Sequence, residues 1–238
     1  MHAAAPSSSM AKPEKPGFKE AQRAQLSLLA PLEKKTLIWL AHRMPAWMNS
    51  DHLTSLGMLS MIAAGLAYWY SATDKVTGLL LVIACLIVNW FGDSLDGTLA
   101  RVRNRQRPRY GFYVDHVVDM FGTLFLLGGL GLSGFMSHSV AAALIVAYFM
   151  LSIEVYLATH TIGTFHLSFW KFSPTELRIL LCIGNLALLA FGPWGVINGQ
   201  RYLLFDIGGA VGLAGMLAML LNAVYRHGRQ LYEEERLP

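Results

Sequence analysis

Six long apolar stretches separated by short polar segments dominate the chain from about residue 50 onward. Each comes close to the run of about 20 apolar residues that an α-helix needs to cross the hydrocarbon core of a bilayer. We therefore expect an all-α integral membrane protein, because a bilayer offers backbone polar groups no partner outside the helix. The predicted spans, with bounds good to a few residues, are Leu53–Tyr70, Val76–Ala100, Gly111–Leu132, Val140–Leu157, Thr175–Phe191 and Ile207–Tyr225.

The residues before the first span have a different pattern. Residues 1–30 are rich in Ser, Pro, Ala and Lys and lack the apolar core of a signal peptide, which predicts a mobile tail. Residues 31–48 mix apolar positions with basic ones at helical spacing, which predicts an amphipathic interfacial helix lying along the membrane surface. The membrane domain is accordingly expected to cover residues 31–238, without a soluble second domain.

Composition and charge agree with this interpretation. Apolar residues make up 54% of the 238 residues and charged residues only 14%, which argues against an ordinary soluble enzyme. If both termini are cytoplasmic, seventeen of the nineteen Lys and Arg residues lie on that side and only Lys75 and Arg201 on the other. Membrane topology thus accounts for the net charge of +4, and no nucleic-acid partner is expected. Cys85 and Cys182 lie inside apolar stretches and are predicted to be packing residues.

Four aspartates lie where the second span ends and the third begins. Asp93 and Asp96 are three residues apart, and Asp115 and Asp119 are four apart, so each pair shares one face of its helix. The Arg-rich segment 102–110 is predicted to be a short turn that brings the two faces together near the cytoplasmic surface. An aspartate at mid-bilayer costs about 2.5–3.5 kcal/mol, so four would cost on the order of 10 kcal/mol without compensation.

This cost indicates a functional site that holds cations. Carboxylate oxygens are hard ligands that select Mg²⁺ or Mn²⁺, and four of them suit a pair of ions. The arginines of the turn are expected to compensate little, because ion pairs in a solvated segment contribute little. Gly97, Ala100 and Gly111 lie on the same helix faces and leave room for a ligand close to the backbone. A structural ion-pair network and a metal-ion transporter are the alternatives, but the outer halves of these spans carry no polar residues to continue a cation pathway.

The aspartates belong to a longer motif. Asp93-Ser-Leu-Asp96-Gly97-Thr-Leu-Ala100-Arg101, followed by Gly111-Phe-Tyr-Val-Asp115-His-Val-Val-Asp119, resembles the signature DxxDGxxAR…GxxxDxxxD of the CDP-alcohol phosphotransferases. The resemblance implies an enzyme in phospholipid synthesis in which an alcohol attacks the β-phosphorus of a CDP-linked donor and CMP leaves. It also implies a homodimer, a metal site formed by all four aspartates, Asp119 as general base, and nucleotide binding by Gly97, Ala100, Arg101 and Gly111.

Further residues are similar to one branch of that family, the choline and ethanolamine phosphotransferases. Asp115-His116 with Asp119 resembles their DHxxD, while Gly163-Thr164-Phe165 and Pro174-Thr175-Glu176-Leu177 resemble their GTL and VTEV segments. This resemblance implies His116 as the base, Glu176 as its orienter, a CDP-aminoalcohol donor and a diacylglycerol-type acceptor. His116 could equally pack or cap, and Glu176 could equally belong to a capping box. The alternative donor is CDP-diacylglycerol with a small polar alcohol such as glycerol phosphate, inositol phosphate or serine, as in the compact members of the family.

Overall fold

A helical bundle preceded by a short helix forms the fold. The computed structural model describes residues 30–162 and 174–236, so the predicted tail and the Gly163–Phe165 segment lie outside the described residues. Six of the described helices are long and apolar enough to cross a membrane, which confirms the predicted all-α membrane fold with an N-terminal helix before the spans. The elements in chain order are α1 (Ala30–Arg43), α2 (Ser50–Tyr70), α3 (Lys75–Val102), α4 (Pro108–Leu132), α5 (His138–Thr161), α6 (Pro174–Phe191), β1 (Trp194–Ile197), β2 (Gln200–Leu203) and α7 (Leu204–Glu234).

Local sequence signals fix where several helices begin. The Asn49 side chain accepts a hydrogen bond from the His52 amide, and the His52 ring accepts one from the Asn49 amide, so a reciprocal capping box starts α2. Asp74 caps α3 by accepting hydrogen bonds from the amide and hydroxyl of Thr77, and these bonds hold the pKa of Asp74 below its usual range. Pro108 begins α4, where its fixed φ and missing N–H cost nothing. These caps set the polar ends of the spans.

The first three spans pack with almost no side chain between them. A Cβ atom added to Gly129 would lie 2.0 Å from the carbonyl oxygen of Gly65, so α4 and α2 cross backbone to backbone. A Cβ atom on Gly92 would lie 2.6 Å from the carbonyl oxygen of Leu53, so α3 also approaches the α2 backbone closely. Such close approach between membrane helices depends on glycine at the contact. The helices that carry the paired aspartates, α3 and α4, are therefore each held closely against α2.

One buried polar contact joins α6 to this group. The Tyr68 hydroxyl donates a hydrogen bond to Oδ1 of Asn185 at 3.1 Å, and both side chains are fully buried. Leu188, one turn further along α6, completes the same core. Large apolar side chains such as Leu59 and Ile87 remain exposed on the outside of the bundle, as expected for a surface that faces lipid.

The N-terminal helix is attached to the bundle rather than resting on the membrane surface alone. Leu37 and Ala41 are buried on one face of α1 and pack in one cluster with Leu95 and Leu99 of α3. Trp39 points away from this cluster and is 53% exposed. The amphipathic pattern therefore serves partly to dock α1 on α3.

A β-hairpin between α6 and α7 was not predicted. Its turn residues Asn198 and Gly199 have φ angles of 50° and 80°, the positive values that a two-residue type I′ turn requires. The Asn-Gly pair between apolar strand residues was the sequence signal for this hairpin. The last helix also continues to Glu234, beyond the predicted end at Tyr225, with a side-chain pair between Arg229 and Glu233 on its polar extension.

Candidate active site

The four aspartates lie around the turn between α3 and α4. Asp93 and Asp96 belong to the last turns of α3, and Asp115 and Asp119 to the first half of α4. Asp96 is close enough to Asp93 and Asp115 for their charges to interact. Asp119 and Asp115 are likewise close enough to Tyr156, on α5, for their charges to act on its hydroxyl group. These interactions link the aspartates of α3 to Asp115 of α4, and the aspartates of α4 to α5.

Asp96 is held by the start of α2, which the sequence analysis did not include in the site. The Thr54 hydroxyl donates a hydrogen bond to Asp96 Oδ2 at 2.6 Å, and the Gly97 amide donates to Oδ1 at 2.5 Å. The Ser50 hydroxyl donates to the Asp96 backbone oxygen at 3.1 Å. Charge-assisted hydrogen bonds of this kind fix the orientation of a carboxylate. Both carboxylate oxygens of Asp96 therefore have defined positions.

Asp93 is paired with an arginine from a distant span. Arg178 on α6 donates from Nη2 to Asp93 Oδ2 at 2.5 Å and from Nε to the Asn89 side-chain oxygen at 2.7 Å. The Arg178 and Asp93 side chains are only 14% and 25% exposed. Asn89 in turn donates to the Gly57 carbonyl oxygen at 3.0 Å. The expectation that arginine compensates little was based on the turn between α3 and α4, and it missed Arg178 because α6 is remote in sequence.

The turn itself is anchored more firmly than its solvated composition suggested. Arg103 donates hydrogen bonds at 2.9 Å to the carbonyl groups of Met44 and Pro45, and a third to that of Met48. These bonds fasten the end of α3 to the segment after α1. Arg107 pairs with Asp51, but both side chains are about half exposed and such a pair contributes about 0–1 kcal/mol.

His116 has a defined ring orientation. Its Nδ1 lies 2.6 Å from the Phe112 carbonyl oxygen, which can only accept, so Nδ1 carries the hydrogen. In the neutral ring the lone pair is then on Nε2, the arrangement that a general base needs. The ring meets Tyr156 edge-on with centroids 5.3 Å apart. Glu176 lies in the first turn of α6, which packs against α3, and its partnership with His116 stays a prediction.

The predicted nucleotide-binding residues line the same end of α3 and α4. A Cβ atom on Gly111 would meet nothing within 4 Å, so this position borders open space. A Cβ atom on Gly97 would lie 3.6 Å from Nη1 of Arg101, whose Nη2 donates to the Thr98 hydroxyl at 3.1 Å. Ala100 is half-buried, about one turn after Gly97 on α3. Small residues thus leave space near the carboxylates, and their contact with a nucleotide stays a prediction.

The donor chemistry of the site suits a hard divalent cation. Within residues 30–162 and 174–236, however, no three His, Cys, Asp or Glu side chains are close enough to ligate one ion together. Asp93 is occupied by the Arg178 guanidinium and Asp96 by Thr54. A shared metal would therefore require the side chain of Asp93 to exchange a protein cation for the ion.

Comparison with known proteins identifies the family. The profile of the CDP-alcohol phosphatidyltransferase family matches residues 47–222, which include all four aspartates and the six spans up to most of α7. Human cholinephosphotransferase 1 is 28% identical over 177 residues. That alignment covers 71% of this chain but 42% of the human protein, so the chain spans less than half of the relative's length. We conclude that the chain, with six helices long and apolar enough to span a membrane, belongs to the CDP-alcohol phosphatidyltransferase family.

Proposed function

We propose that the chain transfers a phosphoaminoalcohol group from a CDP-linked donor to the hydroxyl of a diacylglycerol-type lipid, with release of CMP. The donor would be of the CDP-choline or CDP-ethanolamine type. The observation that carries the proposal is the position of His116, one residue after Asp115 and oriented through Nδ1, in a site whose relative is named for choline phosphotransfer. A compact chain of this family is also compatible with CDP-diacylglycerol as donor, which the substrate test below distinguishes.

Asp93, Asp96, Asp115 and Asp119 would hold Mg²⁺ or Mn²⁺, with two ions for four carboxylates. Bound there, the ions would neutralise the pyrophosphate and the charge that develops on the departing CMP. Asp93 would have to exchange its Arg178 contact for an ion to join this set. Gly97, Ala100, Arg101 and Gly111 would accommodate the nucleotide beside these carboxylates.

The chemistry is a single displacement at phosphorus. The acceptor hydroxyl oxygen forms a bond to the donor's β-phosphorus while the bond from that phosphorus to the oxygen of CMP breaks. The hydroxyl proton passes to Nε2 of His116, and the Phe112 carbonyl oxygen orients the ring through Nδ1. Glu176 would have to replace that carbonyl at Nδ1 to act as the orienter. Asp119 is the other candidate for the base, and the two assignments differ in one result. If His116 is the base, His116→Gln should lower kcat at saturating Mn²⁺, whereas if Asp119 is the base this variant should keep the parent kcat. Asp119→Asn should raise the Mn²⁺ concentration needed for activity in either case, because Asp119 is also a proposed metal ligand.

The experiment is a donor panel on the purified protein in lipid nanodiscs. Radiolabelled CDP-choline, CDP-ethanolamine and CDP-diacylglycerol are each supplied with matched acceptors, and CMP and lipid product are measured. We expect product from an aminoalcohol donor and diacylglycerol. Turnover with CDP-diacylglycerol alone would reject this donor assignment and support the alternative.

Variants test the site within the same assay. Asp96→Ala and Asp119→Ala should abolish CMP release while the protein still elutes as a folded species. Glu233→Ala, which removes an exposed carboxylate from the end of α7, serves as the matched control and should keep the parent rate. Chelation should stop turnover and added Mg²⁺ or Mn²⁺ should restore it. Activity retained in both aspartate variants or after chelation would reject the metal assignment.

Two further properties are proposed for the protein in its membrane. The charge distribution supports cytoplasmic termini and a cytoplasmic active site, which a membrane-impermeant thiol reagent on Gln106→Cys would test.

Gly208 and Gly215 on α7 border open space, which is compatible with a homodimer contact. Crosslinking in native membranes should then give a dimer that bulky residues at these two positions weaken.

A further inference from the structure

A carboxylate from outside the six spans reaches both of the helices that frame Asp93. Oε1 of Glu33, on α1, accepts hydrogen bonds from Trp90 Nε1 at 3.0 Å and from Ser94 Oγ at 3.3 Å, both on α3. The same oxygen accepts a hydrogen bond from Thr175 Oγ1, on α6, at 2.7 Å. Three helices thus meet at one oxygen atom.

The chemistry of this contact favours a fixed geometry. Each of the three partners is a neutral donor, so the carboxylate satisfies their hydrogen bonds rather than neutralising a charge. Glu33 also lies in the first turn of α1, where the helix dipole favours a negative charge. Burial of Leu37 and Ala41 against α3 holds α1 in place beneath the contact. Glu33 is therefore presented from a docked helix and not from a solvated end.

The partners of Glu33 are next to the residues that carry the proposed chemistry. Ser94 lies between Asp93 and Asp96, and Thr175 directly precedes Glu176. Thr175 is also about one helical turn before Arg178, which reaches across to Asp93. The first turn of α6 is consequently tied to α3 at two points, through Glu33 and through Arg178. Two points fix both the distance and the rotation of the α6 end, whereas one would fix only the distance.

We propose that Glu33 is a positioning residue of the phosphotransfer site, which sets the first turn of α6 against α3 so that Arg178 and Glu176 face the aspartates. Docking of the surface helix α1 is then part of building the site. The catalytic consequence rests on the proposed function, but the positioning itself does not. The test therefore has one readout that needs no activity and one that does.

The first readout is the position of α6. Cys85 and Cys182 are replaced by Ala, and spin labels are placed at the exposed positions Gln106 and Leu180, after α3 and on α6. Glu33→Ala should broaden and shift the distance distribution between the labels. Glu33→Gln, which keeps an acceptor oxygen, should retain the parent distribution. An unchanged distribution in Glu33→Ala would overturn the proposal.

The second readout is a split between KM and kcat. Glu33→Ala should raise KM for the CDP-linked donor about tenfold and change kcat by less than about threefold, because donor-facing groups are displaced while His116 keeps the orientation that the Phe112 carbonyl oxygen gives it. Glu33→Gln should restore KM to within about threefold of the parent, and Glu233→Ala is the control for loss of a carboxylate. A lower folded yield with unchanged KM would show a structural role only and overturn the proposal. If the parent turns over no CDP-linked donor, the proposed function fails while the label distances still test Glu33.

Discussion

Removing the guanidinium of Arg178 should destabilise the protein, because the negative charge of Asp93 is left mostly buried without a positive partner. Arg178→Gln keeps a polar side chain of similar reach but deletes the positive charge beside Asp93. The Asp93 carboxylate would then remain in a mostly buried position with no cation in contact. The structure predicts that the stability lost in Arg178→Gln depends on the presence of the Asp93 carboxylate.

The burial of the pair sets the magnitude. Exposed ion pairs contribute about 0–1 kcal/mol, whereas removal of one partner from a fully buried pair costs about 3–5 kcal/mol. With side chains 14% and 25% exposed, the Arg178–Asp93 pair lies between these limits but closer to the buried one. We expect Arg178→Gln to lower the free energy of unfolding by about 2–3 kcal/mol. The double variant Asp93→Asn, Arg178→Gln should recover about half or more of that loss, since no charge is left unpaired.

The assay is a double-mutant cycle of reversible unfolding in mixed detergent micelles. Both single variants and the double variant are compared with the parent, with and without Mn²⁺. Saturating Mn²⁺ should reduce the cost of Arg178→Gln, because a bound cation would compensate Asp93 in place of the guanidinium. A coupling energy below about 0.5 kcal/mol would refute the reasoning, because it would mean that the two side chains contribute independently.

Three other substitutions test the packing and the Asp96 contact. Gly129→Val should cost about 3 kcal/mol of stability or prevent folding, because its Cβ would lie 2.0 Å from the Gly65 carbonyl oxygen. Gly128→Val is the control and should be tolerated, because position 128 faces open space. The yield of folded protein in detergent measures both. Thr54→Val removes the 2.6 Å hydrogen bond to Asp96, which predicts a loss of about 1.5–3 kcal/mol in transition-state stabilisation and a higher Mn²⁺ requirement. An unchanged rate in Thr54→Val would show that this hydrogen bond does not orient the carboxylate.

Sequence periodicity was sufficient for the spans and for the grouping of the aspartates. Both follow from local rules: hydrocarbon thickness sets the length of an apolar helix, and helical spacing places Asp93 with Asp96 and Asp115 with Asp119. The hairpin was also locally encoded by Asn198-Gly199, and its strands were short enough to be overlooked within an all-helical pattern.

The contacts that organise the site were not accessible from local rules. Arg178 is 85 residues from Asp93 and Glu33 is 142 residues from Thr175, so neither contact leaves a periodic signature in the chain. Both contacts require α6 to pack against α3, and the buried contacts of Leu188 and Asn185 hold α6 in the bundle. Composition points to the arginines of the turn between α3 and α4 as partners for the aspartates. The guanidinium beside Asp93 comes instead from α6, which two other spans separate from α3 in the sequence.

The glycine crossing of α2 and α4 has a consequence for how the molecule can respond to its surroundings. Where two main chains touch, the spacing is set by atomic radii, and no rotamer change can absorb a displacement. A change in bilayer thickness or lateral pressure must then be taken up at seams lined by flexible side chains. Helices α2, α3 and α4, which share these glycine contacts, are in this sense the stiff frame against which the other helices adjust.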